Sequence, residues 1–279
     1  MKSRVSIVKC NSYNPEEVQA SVDRAIELLG GITSFVKTGE AVLIKPNILG
    51  GSPPEQGINT HIEIVRALIR LLKKCGSRPF VGDNPGGSMS ASYAYEQSGF
   101  LSLAKEEQIE IKEVKNIRIV NGIPIASYFF ECDKIISVPK MKTHSLTVIT
   151  GAIKNMFGAV AGLHKSEFHK KFPGPEEFAS ILVDIFEIVK PHLTLMDGVV
   201  VMEGDGPAAG RLRSAGLLIS GVDSVAVDSV FAKLIGIEPR DVFTTRESYS
   251  RGLGEMDLEH IEIIGESIKR SFMENFKLP

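Results

Sequence analysis

Residues 140 to 171 read KMKTHSLTVITGAIKNMFGAVAGLHKSEFHKK and gather six lysines, three histidines and one acid, Glu167. With neutral histidine the block carries +5, while the whole chain is −2 and the remaining residues therefore sum to −7. Positive charge focused in this way attracts a small anion when it lines a cleft. Inside the block, Lys154 interrupts an apolar run, LTVITGAIKNMFGAVAGL. Ile149, Ala152, Ile153, Met156, Phe157 and Val160 recur there at helical spacing, with Lys154 and Asn155 on the edge of the stripe. An unpaired buried ammonium is costly, so Lys154 must reach a carboxylate, water or a ligand anion. The alternative is a surface lysine that snorkels to solvent. Gly151, Gly158 and Gly162 leave backbone bare near it, as close approach of a ligand or another element requires.

Further polar residues stand where strands are predicted to end. LIKPN closes on Lys45 and Asn47, VGDNPGGS on Asp83 and Asn84, SVPKMKTH on Lys140, Lys142 and His144, and LMDG on Asp197. Ligands of parallel sheets bind beyond the carboxyl ends of the strands, where loops converge and helix amino-termini point. Each Asp or Asn is also a turn former or helix cap by type. Lys45 and Lys140 are neither, and both adjoin proline in apolar strands. One shared site is therefore expected. In it Lys45, Asn47, Lys140, Lys142, Lys154, Asn155 and Arg211 bind an anion, His144 or His169 carries a proton, and Asp83 or Asp197 orients the histidine. No metal ligands are assigned, because His144, His164 and His169 lack the spacing of zinc motifs.

The elements that must position these residues follow from periodicity. RVSIVKC and AVLIKPN are short β-branched runs, and between them Val18, Val22, Ile26 and Leu29 repeat at helical spacing. The alternation continues with a helix over HIEIVRALIRLLKKCG, a strand RPFVGD, a Ser-rich turn, a helix near 91 to 105 and a strand IEIKEV. Then come a hairpin IRIVNGIPIA turning at Asn121-Gly122, the strand KIISVPK, a helix from about 175 to 190, and LTLMDGVV. GLLISG, a helix over 223 to 235 and IEIIG complete the pattern. Such alternation predicts a three-layer α/β fold, a largely parallel or mixed sheet with helices on both faces. No linker or repeat divides residues 1–279, so a single domain is expected, or two closely fused lobes. GDGPAAG at 204 to 210 reads as a loop with Glu203 and Asp205 at the rim and Arg211 free to meet an anion.

Composition excludes several classes of function. The near-neutral charge, absence of tryptophan and 7% aromatic content offer no footprint for nucleic acid. No stretch reaches the roughly 18 uncharged apolar residues of a membrane span, and the start lacks a secretory signal, so a cytoplasmic protein is expected. Cys10, Cys75 and Cys132 are odd in number and scattered in apolar surroundings, as buried thiols of a reducing compartment are.

VLIKPN, VGDNPGGS, ISVPKMKTHSLTVITGAIKNMFGAV, LMDGVVVMEGDGPAAG and DSVAVDSVFAKLIGI together resemble, in order, the pattern of the domain of unknown function 362 family. The resemblance spans nearly the whole chain. Members of that family often carry a ferredoxin-like module with four-cysteine iron–sulfur clusters, which implies electron transfer. This chain has no C-x-x-C-x-x-C run, so no intrinsic four-cysteine cluster is expected, and electrons would come from a separate ferredoxin-like partner or a bound cofactor. Two readings stand. One is an enzyme acting on a small carboxylate or phosphate held by a Lys/His-rich cleft, with a redox link implied by the resemblance. The other is a non-catalytic accessory subunit whose lysine patch docks an acidic iron–sulfur partner. The first needs the lysines inside a cleft, the second needs them exposed.

Overall fold

The computed structural model describes residues 2–86, 90–162 and 164–279. Its first half alternates strand and helix: β1 (Ser3–Lys9), α1 (Pro15–Glu27), β2 (Ala41–Pro46), α2 (Ile62–Lys74), β3 (Arg78–Gly82), α3 (Ala91–Gln97), α4 (Phe100–Glu106) and β4 (Ile111–Lys112). A hairpin of β5 (Ile117–Val120) and β6 (Ile123–Ala126) precedes β7 (Lys134–Val138), β8 (Lys140–His144) and β9 (Val148–Thr150). Then follow α5 (Ala152–Asn155), α6 (His164–Lys171), α7 (Pro175–Ile188), β10 (Leu193–Glu203), β11 (Arg211–Gly221), α8 (Ser224–Leu234), α9 (Phe243–Ser250), β12 (Ile261–Gly265) and α10 (Ile268–Ser271).

The helices start where capping chemistry starts them. Asn14 accepts the amides of Glu16 and Glu17 ahead of α1, with Pro15 in its first turn. Asp223 does the same for Val225 and Ala226 at α8. Val18, Val22 and Ile26 of α1 and Ile64, Leu68 and Leu72 of α2 bury one stripe each against one face of the sheet. Phe178, Leu182 and Phe186 of α7, with Val227, Val230 and Phe231 of α8, cover the other. The result is the expected three-layer α/β arrangement.

The sheet is mixed, in the order β12-β1-β11-β10-β7-β2-β3-β4. The pairs β1/β12, β10/β7, β7/β2, β2/β3 and β3/β4 are parallel, and β11 runs antiparallel to both neighbours. The chain steps outward from β2 to β3 and β4 and then returns to β7 on the other side of β2. The crevice above β2 and β7 is therefore a topological switch point, the place where parallel sheets bind ligands.

Several boundaries differ from the sequence reading. The helix near 91 to 105 is two helices, broken where Gly99 adopts φ +81°. KMKTH is a strand: after Pro139 the chain leaves β7 and β8 pairs with β10 and β9. Its lysines hid that strand from a hydropathy reading, although all five residues are buried. The apolar stripe is helical only over α5 and the following 3-10 turn at Met156–Ala159. The hairpin turns at Asn121 and Gly122, both with positive φ, as expected. The Ser-rich turn after β3 includes residues 87–89, which lie outside the described residues.

Candidate functional site

Beyond the carboxyl ends of β2 and β3 lies a cavity of about 390 Å³. Lys45, Asn47, Asp83, His144, Lys154, Asn155 and His169, all singled out by the sequence, line it together with Lys165, Phe157 and Pro207. At its floor the Lys45 ammonium meets Asp83 Oδ1 at 2.7 Å, Asn155 Oδ1 at 3.1 Å and the Pro46 carbonyl at 2.8 Å. Asp83 also accepts the amides of Ile48 at 2.8 Å and Asn84 at 2.9 Å, so this buried pair is fully hydrogen-bonded. Asn155 bridges the switch point, its amide donating to the Lys45 carbonyl on β2 at 3.2 Å and to Ser137 Oγ on β7 at 2.9 Å.

Two glycines of the block exist for two carboxylates. A Cβ on Gly158 would stand 2.0 Å from Asp83 Oδ1 and 2.6 Å from Lys45 Nζ, so only glycine lets the turn after α5 lie on the ion pair. A Cβ on Gly151 would stand 2.2 Å from Asp228 Oδ1. Asp228, on α8, accepts the Ala152 and Ile153 amides at 2.6 and 3.1 Å and so caps α5 from outside the segment. Burial raises its pKa to about 7 against the pull of those two amides. The sequence reading did not single out Asp228.

Lys154 stands at the end of α5. Among the described residues no acceptor lies within hydrogen-bonding distance of its ammonium, which sits 5.9 Å from the centroid of the Phe157 ring. Burial, aided by the Lys45 charge, lowers its pKa to about 8. Lys165, on α6, stands at the same 5.9 Å from the same ring and donates to the Asn84 carbonyl. Burial lowers it to about 7, the nearby Asp83 opposing and Lys45 and Lys154 adding to the shift. The sequence signal for Lys165 is its spacing: Lys165 and His169 are four apart on α6 and share a face.

The two histidines differ. His144 Nδ1 accepts the amides of Leu146 at 3.1 Å and Thr147 at 3.3 Å, so the ring proton resides on Nε2. Burial and the charges of Lys154 and Lys142 push its pKa down to about 2. With Nδ1 held by two backbone amides, His144 presents Nε2–H as a hydrogen-bond donor at neutral pH. His169 stacks on Phe178 at 4.3 Å, and burial followed by the Lys154 and Lys165 charges lowers its pKa. The side-chain oxygen of Asn47 is buried at the cavity with no partner.

Lys140, Lys142, Asp197 and Arg211 do not join this cavity. Lys140 donates to Asp197 Oδ2 at 2.9 Å and to Tyr13 Oη at 2.6 Å, and Tyr13 Oη donates to Asp197 Oδ1 at 2.9 Å. His61 stacks on Tyr13 with centroids 3.6 Å apart, and its amide reaches Asp197 at 3.0 Å. This closed cluster satisfies its own charges. Lys142 donates to the Ile58 carbonyl at 2.7 Å between the two groups, and burial and the Lys154 and Lys140 charges hold its pKa far below normal. Arg211 is not free: it and Arg213 pair with the buried Glu203, with Arg211 Nε donating at 2.8 Å. The reason is a strand-length effect, since β10 and β11 run as a long hairpin that sets Glu203 opposite Arg211. Among the described residues, no group of three or more His, Cys, Asp or Glu side chains is arranged to hold a metal. Cys10, Cys75 and Cys132 are three in number and lie in separate loops, one short of the ligands of a four-cysteine cluster.

A mixed α/β sheet with a lysine-lined cavity at its switch point defines the class. Residues 42–233 match the family described as domain of unknown function (DUF362), and the chain belongs to that family. It is 31% identical, across its whole length and 88% of the relative's, to the thylakoid-associated protein sll1697 of Synechocystis sp.. Among solved structures it is similar to a Thermotoga maritima protein at 13% identity and a TM-score of 0.45, covering 87% of this chain and 60% of that one. It is also similar to the lactate racemase apoprotein of Thermoanaerobacterium thermosaccharolyticum at 12% identity and a TM-score of 0.46, covering 80% of this chain and 54% of that one. The chain thus spans less than two thirds of either solved structure. No helix among the described residues is long and apolar enough to cross a membrane.

Proposed function

We propose that this protein is an enzyme acting on a small anionic substrate, a carboxylate or phosphate, held in the cavity beyond β2 and β3. The observation that carries the reading is the charge balance of the lining: Lys45, Lys154 and Lys165 against Asp83 alone, with Asp83 already spent on Lys45. Lys154 then waits for an anion, which would repay its desolvation with a charge-assisted hydrogen bond. Lys165 and the His144 Nε2–H supply further donors, the unpartnered Asn47 side-chain oxygen offers an acceptor that fixes orientation, and His169 moves the proton. The alternative role, docking an iron–sulfur partner through a lysine patch, calls for exposed lysines, and the burial of Lys45, with Lys154 and Lys165 half-buried in the cavity lining, supports the enzyme instead. A redox link and a cytoplasmic location belong to the same proposal.

The test is thermal unfolding of the wild-type chain with phosphate, sulfate and acetate at two salt concentrations. Saturable stabilisation by one of them, weakened by salt, is the expected result. Equal melting with and without every anion would remove the reading.

A further inference from the structure

We infer that Lys154 is a covalent catalyst, whose amine condenses with the carbonyl of a 2-oxo carboxylate bound in the cavity to form an imine. The inference rests on the proposed anion site and names its substrate class. Four lysines stand in or beside the cavity, and three are occupied. Lys45 is bound to Asp83, Lys142 to the Ile58 carbonyl and Lys165 to the Asn84 carbonyl. Lys154 has no acceptor among the described residues, and it lines the cavity. A lysine desolvated in a pocket beside other cations is the arrangement that makes an amine nucleophilic near neutral pH. The pKa of about 8 follows from the same surroundings: at pH 7 the free-amine fraction is roughly 300-fold above that of an exposed lysine.

The neighbours dictate where the carbonyl must be. Lys154 and Lys165 flank the same Phe157 ring, so a carboxylate drawn to Lys165 and the His144 Nε2–H brings only its adjoining atoms to Lys154. A carbonyl next to the carboxylate fits that reach in a cavity of about 390 Å³. The Lys154 nitrogen lone pair forms the C–N bond while the C=O π pair moves to oxygen, which takes a proton. The C–O bond then breaks, and the oxygen leaves as water with a second proton. One amine, one carbonyl and one proton thus give an iminium and one water. The iminium withdraws electrons from the carbon beyond it, and neutral His169 is the cavity group able to remove a proton there and return it.

The experiment treats the full chain with pyruvate and sodium cyanoborohydride, which reduces iminium to a stable secondary amine, followed by peptide mass mapping. Expected is one reduced pyruvyl group on Lys154, formed at pH 7 at least about tenfold faster than on the exposed Lys2 or Lys171. Lys154→Arg, which keeps the charge, should lose that label. Isobutyrate, of similar size but without the ketone of pyruvate, should compete with labelling. Thermal unfolding with isobutyrate separates the two claims. Stabilisation by isobutyrate with no preferential label on Lys154 overturns the imine and leaves the anion site standing. No stabilisation by isobutyrate, phosphate or pyruvate, together with labelling of Lys154 at the rate of surface lysines, overturns both.

Discussion

Lys154→Met deletes a half-buried, unpartnered charge while keeping an unbranched apolar stem of similar length, and it should make the ligand-free protein more stable. Lowering the lysine pKa from 10.5 to about 8 corresponds to roughly 3 kcal/mol between the ionised and neutral forms. The sign follows from proton binding. Between pH 8 and 10.5 the unfolded chain keeps a proton on Lys154 that the folded chain has released, so stability rises with pH across that window. Below pH 8 both states are protonated and the folded protein bears the full cost. Methionine removes it, offset by a lost cation–π contact with Phe157 worth about 1 kcal/mol. Urea unfolding at pH 7 in a chloride-only buffer should therefore show the variant about 1–3 kcal/mol more stable than wild type. The gap should close as the pH approaches 10.5. A variant less stable than wild type at pH 7, or a gap that does not change with pH, would refute a desolvated and unpartnered Lys154.

Gly158→Ala places a methyl group about 1 Å inside the closest approach that Asp83 tolerates, and separating that buried pair should cost about 3 kcal/mol, read as a lowered urea midpoint with an unchanged slope. Asp228 carries the opposite pH signature to Lys154. Its pKa rises from 3.8 to about 7, so the folded state holds a proton that the unfolded state has lost, and stability falls through that window by up to roughly 4 kcal/mol. The wild-type curve minus that of Asp228→Asn should show this fall, and a flat difference would place the carboxylate outside the buried cap. Tyr13→Phe removes the hydroxyl shared by Lys140 and Asp197 and should cost about 1–2 kcal/mol in urea. Anion-dependent thermal stabilisation should persist in that variant, because the cluster is closed to the cavity; its loss would merge the two groups.

How much of this was legible in the chain follows from the range over which each signal acts. The stripes of α1, α2, α7 and α8 and the Asn121-Gly122 turn are local, set by neighbours within a turn or a strand, and the sequence displays them directly. The focused charge of residues 140 to 171 is likewise a property of the chain alone. That charge pointed to Lys154, Asn155, His144 and His169, and strand ends pointed to Lys45, Asn47 and Asp83. Which cation meets which acid is decided only when strands distant in sequence lie side by side. Pairing β8 with β10 puts Lys140 opposite Asp197 and closes that pair with Tyr13, some 127 residues from Lys140. Pairing β10 with β11 occupies Arg211 with Glu203. Asp228 and Gly151, or Asp83 and Gly158, carry no mark of each other in the chain, since each contact joins segments brought together by the sheet. The sequence thus determined which charges are present and which local elements bear them. The tertiary structure determined which charges are spent on one another, and so which lysine is left facing the cavity, because Coulomb and desolvation energies depend on three-dimensional distance and burial.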